Sequence, residues 1–201
     1  MSDEGWQQVR SGLTLIVWSK LASWDPQNLT LVAANEANFE SSTGHKEIHR
    51  TFGRLICWIA FSVGAEYLSR GAVMLKGRST TQASPNRILR LPSRDEDIAD
   101  WIKRVNSCDP SVCEAAISFK TLGKLHPEQI LPPGSERDLV SASIKLLASA
   151  IRNRDAHRYA KDVRAFHFHV VGSLFVPALN ILLASLNQGE LRTHLTGTEF
   201  A

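Results

Sequence analysis

The 201-residue chain is 43% hydrophobic and 21% charged, with 12 Gly and 8 Pro. That suits one globular domain with a sizeable core and excludes a collagen-like or linker-dominated chain. A formal charge of +3 is too mild to argue for nucleic acid by itself. The three cysteines cannot all pair internally, and the first 12 residues, MSDEGWQQVRSG, carry acids where a secretory leader has an apolar core, so a reduced, cytoplasmic compartment is expected.

Val9, Leu13, Ile16, Val17 and Leu21 recur at spacings of three and four, which predicts an amphipathic helix over 6–21. Trp24-Asp25-Pro26 should end it, because the residue before a proline leaves the helical region. A long helix is expected over 45–74, with Ile48, Phe52, Leu55, Ile59 and Val63 in one stripe and an apolar middle that places it centrally. Residues 77–94, with Pro85 and Pro92, read as a long loop. Ser93 with Glu96 three residues on is a capping box for a helix through Trp101 and Ile102. A short helix from Pro110 to near Lys120 comes next, and then a connector holding Pro127, Pro132 and Pro133.

Ser135 is expected to cap a helix whose Leu139, Val140, Leu146, Leu147 and Ile151 face inward. A helix over 165–186 comes after it, bent near Pro177. Phe166–Leu186 is long enough to cross a bilayer, but His167, His169, Gly172, Pro177 and Asn180 make it a costly span. A buried core helix and no membrane are the expectation. The Gly189 region and residues 193–201 read as a frayed tail. With no convincing strand alternation and no repeat, the fold class is all-α, about six or seven helices. Residues 1–44 form an N-terminal helical extension packed on the core, 45–187 the main helical domain and 188–201 a C-terminal tail.

Phosphate-binding glycine loops are absent. Cys108 and Cys113 lack a second pair, which favours structural thiols over zinc. His45 and His49 share a helix face at i, i+4 without a clear third ligand, and His167 and His169 point to different faces as core or interface histidines. No metal and no cofactor are expected.

The dense polar cluster is Ile151–Tyr159, IRNRDAHRY, which is either a solvated helix end or a site. Asn153 and His157 are i, i+4, so the amide can hold the imidazole in one tautomer. Arg152 lies about 140° around the helix from His157, at roughly 100° per residue, so only a long reach or a second subunit would join them.

Arg152-Asn153-x-x-x-His157 resembles the R-x(4–6)-H motif of HEPN domains (higher eukaryote and prokaryote nucleotide-binding), including the polar residue after the Arg and the setting late in a helical domain. Thr121-Leu122-Gly123-Lys124-Leu125 is also similar to a segment of such proteins, and the resemblance covers residues 45–187. It implies a HEPN-like helical bundle that cleaves RNA without metal, as a homodimer whose two motifs face each other. Catalysis would fall to Arg152, His157 and Asn153. His157 would move the proton of a ribose 2′-OH or of the leaving oxygen. Arg152 would grip the phosphate and stabilise transition-state charge, while Asn153 would orient His157 or contact the phosphate. Arg154 and Arg158 would contact the RNA.

With Tyr159 the pattern becomes R-x(4)-H-x-Y, which resembles HEPN toxins whose minimal nucleotidyltransferase antitoxin modifies that Tyr with AMP. Tyr159 is thus either a regulatory modification site or a half-buried helix aromatic. This chain is longer than those toxins and has its own N-terminal region. The implied role is a toxin or defence effector. The alternative is a non-catalytic HEPN-like binding or dimerisation module acting with a partner nucleotidyltransferase.

Charge is distributed unevenly. Residues 70–94 carry Arg70, Lys76, Arg78, Arg87, Arg90 and Arg94 with no acid, or +6, while residues 1–44 sum to −3. Arg87, Arg90 and Arg94 either track an RNA backbone or keep a loop soluble. Glu66 and Arg70, at i, i+4, are an ordinary stabilising pair or a support for the cleft.

Overall fold

Asp3 and Glu4 place negative charge at the positive end of a helix dipole, and α1 (Asp3–Trp18) starts there. The computed structural model describes residues 3–35, 39, 47–78, 88–89, 92–114, 126–147 and 168–195. The first helix stops three residues earlier than its periodicity suggests. The Ser19 hydroxyl donates to the Ile16 carbonyl at 2.5 Å and accepts the Leu21 N–H at 3.2 Å. Lys20 then takes a left-handed conformation with φ 61°, which turns the chain out of the helix.

The chain then enters a hairpin that its periodicity does not disclose. Strands β1 (Ala22–Asp25) and β2 (Thr30–Ala33) pair antiparallel, with Trp24 opposite Leu31. Asp25 builds the turn, its carboxylate accepting the backbone N–H groups of Gln27 and Asn28 and the Asn28 side-chain amide. Four-residue strands are too short to show a period of two against a helical background.

Helix α2 (Glu47–Leu75) is the predicted long central helix. It packs antiparallel to α1 by removing side chains. Gly5 and Gly12 are seven residues apart, as are Gly64 and Gly71, and the pairs meet across the contact. A Cβ on Gly12 would lie 2.5 Å from the Leu68 nitrogen, and one on Gly71 would lie 2.6 Å from the Gly5 carbonyl oxygen. Only glycine permits backbones this close.

The two-residue strands β3 (Ile88–Leu89) and β4 (Cys113–Glu114) pair antiparallel. The expected helix from Pro110 therefore does not start there: Pro110–Val112 is a turn leading into β4. Helix α3 (Ile98–Asn106) keeps only half of the predicted capping box. Glu96 does accept the Ser93 N–H at 3.0 Å, but the cap is Asp97, whose side chain accepts from the Asp100 N–H at 2.9 Å. Aspartate one residue before the helix competes better than a serine five residues out. Glu96 is also paired with Arg104.

A 3-10 turn (Pro127–Ile130) leads to α4 (Ser135–Leu146). Its cap is Gly134, at φ 148°, and Ser135 is the first helical residue. A π-helical turn (Val171–Phe175) runs into α5 (Val176–Ala184). Pro177 has no N–H to offer the preceding turn, and the wider π-turn absorbs that loss where the sequence predicts a bend.

Residues expected to fray instead form α6 (Gln188–Leu195), with Leu191 and Leu195 fully buried. Its His194 ring stacks on Trp6 of α1, with centroids 4.6 Å apart. Two apolar residues four apart are enough to dock a short polar helix. The described residues are thus mostly helical, around a core where Trp58, Phe61 and Phe175 meet at 6.1–6.4 Å between centroids. Among them no single helix is long and apolar enough to cross a membrane. Val171–Ala184 and Gln188–Leu195 pass that test only together, and they are bent by 110°.

Candidate functional site

The polar run Ile151–Tyr159 lies between two elements held in the same core. Before it, α4 ends in buried Leu146 and Leu147. The buried Ser62 hydroxyl of α2 donates to the Leu147 carbonyl at 3.1 Å, five residues ahead of Arg152. After it, buried Ser143 of α4 donates to the Leu174 carbonyl of the π-turn at 3.2 Å. Each hydroxyl satisfies itself and adds a bond between elements, at about 1 kcal/mol apiece. Neither serine stands out in the sequence. The available signal is a lone hydroxyl inside an apolar helical stretch, Ser62 in Leu55–Val63.

Arg152, Asn153, Arg154, His157, Arg158 and Tyr159 lie outside the described residues, as do Arg87, Arg90 and the Thr121–Leu125 segment. Arg94 is described, and it is exposed in the turn before α3. The described geometry therefore relates none of these candidates to another.

Glu66 and Arg70 form an i, i+4 ion pair at 3.1 Å on α2, about two-thirds removed from solvent. Helical pairs of this kind contribute about 0.3–0.5 kcal/mol. Asn180 is, in sequence, only a polar residue in an apolar run. In the structure it satisfies the outer edge of β2, accepting the Leu31 N–H at 2.7 Å and donating to the Leu31 carbonyl at 2.9 Å.

His169 is half-buried at the start of the helical stretch that leads into α5, while His45 and His167 lie outside the described residues. His49 falls within α2. Cys108 is exposed and Cys57 half-buried, with burial pushing the Cys57 thiol above its ordinary pKa and so away from nucleophilic use. Among the described residues no three His, Cys, Asp or Glu side chains gather as a metal site.

A shallow depression of about 910 Å³ opens along the outer face of α1. Polar residues of α1 line it, among them Asp3, Glu4 and Arg10, together with Leu15 and with Tyr67 of α2, and Arg10 pairs with Asp3 at 3.8 Å. It holds side chains suited to contact and no nucleophile–base pair.

No family model matches the chain. It is 27% identical over 152 residues to the "Putative truncated flagellar export/assembly protein LfhA" of Escherichia coli K12, a match covering 72% of this chain and 26% of that protein. The "Putative flagellar export/assembly protein LfhA" of Escherichia coli O44:H18 is similar to the same extent, with 22% of its length covered. The chain thus spans about a quarter of the length of the curated relatives it matches. No solved structure matches.

Proposed function

We propose that the chain is a HEPN-like, metal-independent endoribonuclease, a cytoplasmic toxin or defence effector whose active site is composed by two copies. The observation that carries this reading is the Arg152-x(4)-His157-x-Tyr159 spacing, set between a helix and a π-turn that are both tied into one core through Leu147 and Leu174. A mostly helical chain suits a HEPN-like bundle. In this reading His157 shuttles the proton, Arg152 holds the phosphate and Asn153 orients the imidazole. Arg154, Arg158, Arg87, Arg90 and Arg94 supply salt-dependent attraction for RNA, and Tyr159 is where a nucleotidyltransferase antitoxin would act.

The test is single-turnover RNA cleavage in EDTA. His157→Ala should abolish cleavage with helical content unchanged, and Arg152→Lys should slow it by about 10²–10³ with little change in RNA affinity. Neutralising Arg87, Arg90 and Arg94 together should weaken binding and flatten its salt slope. Cleavage that requires added divalent metal, or that survives His157→Ala, overturns the reading.

The similarity to flagellar export/assembly proteins favours a second reading, a helical module that acts by binding other components of an assembly. It is distinguished by an intact fold, no cleavage of RNA under any metal condition, and stable complexes that His157→Ala does not disturb.

A further inference from the structure

The buried polar side chains among the described residues are all serines: Ser19, Ser62, Ser69, Ser141 and Ser143. Ser62 and Ser143 bond across to another element, and the carbonyls they hold, at Leu147 and Leu174, stand one on each side of the Arg152–His157 run. Ser19 bonds only locally, at Ile16 and Leu21. The Ser69 hydroxyl, seven residues on from Ser62 along α2, has no partner among the described residues. Burying a serine therefore does not by itself tie two elements together in this molecule.

Both cross-element bonds meet on one turn of α4. Leu147 is still helical, with φ −56° and ψ −46°, and lies one turn, about 6 Å, beyond Ser143. The chain runs out past Leu147 and by Leu174 is bonded back to that same turn. The neighbouring rings close the arrangement from the other side. Phe175, next to Leu174, packs against Phe61 at 6.1 Å and Trp58 at 6.2 Å, and Phe61 is next to Ser62. The exit and the return of the segment that carries Arg152 and His157 are thus pinned beside each other.

We propose that Ser62 and Ser143 are positioning residues for Arg152 and His157, fixing where their segment leaves the core at Leu147 and rejoins it at Leu174. What is positioned is taken from the ribonuclease reading; the pinning of the two stems is not. Apolar burial is non-directional, so the rings hold the elements together without setting their height and rotation sharply. A hydrogen bond is made only over a few tenths of an ångström and a limited angle, so it adds that direction. In a site composed by two copies, a displaced stem misplaces both motifs at once. An error of about 1 Å in a reacting group can slow a reaction about 10²-fold.

The experiment compares Ser62→Ala, Ser143→Ala and Ser19→Ala in the full chain, each the loss of one buried serine hydroxyl. The readouts are single-turnover RNA cleavage in EDTA and hydrogen exchange over residues 148–167. In Ser62→Ala and Ser143→Ala the maximal rate should fall about tenfold or more, with the half-saturating concentration within about twofold of the wild type. Ser19→Ala should cleave like the wild type, because its bonds lie at the end of α1. Exchange over 148–167 should quicken about tenfold in the first two variants and not in the third. Where the wild type cleaves RNA, the rates decide: a fall shared by all three variants, or by none, overturns the assignment, and either serine whose variant keeps the wild-type rate loses its own. A wild type that cleaves no RNA removes the ribonuclease reading and leaves exchange to decide the pinning, which equal exchange in all three variants overturns.

Discussion

Two contacts join helices in this molecule by opposite means. Between α1 and α2 the side chains are removed: glycines seven residues apart on each helix let main chain rest on main chain. Between α2, α4 and the π-turn, side chains are added, as buried serines reach across and bond carbonyls at Leu147 and Leu174. The first contact has no spare volume, and the second has a bond that can be lost without a collision. Sensitivity to substitution should therefore differ sharply between them, although both are buried.

Gly12→Ala breaks the comparison hardest. Alanine gains about 1 kcal/mol of helix propensity over glycine, yet its Cβ would fall 2.5 Å from the Leu68 nitrogen and 2.7 Å from the Gly64 oxygen. These are backbone atoms that no rotamer change can move. We expect a net loss of about 3 kcal/mol or more, measured by urea unfolding. An unchanged midpoint would mean that the helices are not in backbone contact.

Ser143→Ala and Ser62→Ala sharpen the other side. Each removes a donor but leaves a small residue in place, so each should cost about 1–2 kcal/mol in the same assay. Losses as large as that of Gly12→Ala would show that the hydroxyls are as indispensable as the glycines.

The smallest effect belongs to the hairpin turn, outside both contacts. Hydrogen bonds from the Asn28 side chain and then from the backbone hold Asp25 below its ordinary pKa of 3.8. A lowered folded-state pKa gives stability that is present above 3.8 and lost as pH falls through the folded value. Thermal midpoints followed into acid should therefore fall slightly more for the wild type than for Asp25→Asn. Parallel curves would remove Asp25 from the account.

Helical periodicity alone locates most of α1, α2 and α4, because an amphipathic or buried helix must repeat its apolar residues every three or four positions whatever surrounds it. The heptad glycines are also visible in the sequence, but their meaning is not, since one glycine pair needs the other, some fifty residues away, to become a contact. The β1–β2 hairpin is hidden for the same reason: four-residue strands gain stability from Asn180, some 150 residues further on, and not from local pattern. Helix α6 looks like a polar tail until Leu191, Leu195 and the stacked His194 find α1. The spacing of Arg152, Asn153 and His157 is legible in sequence because it lies within six residues, and it supports the proposed chemistry without placing it. Which carbonyls Ser62 and Ser143 hold, and which ridge of α1 is left exposed, only the tertiary structure decided, because burial and exposure belong to the assembled chain and not to any one segment.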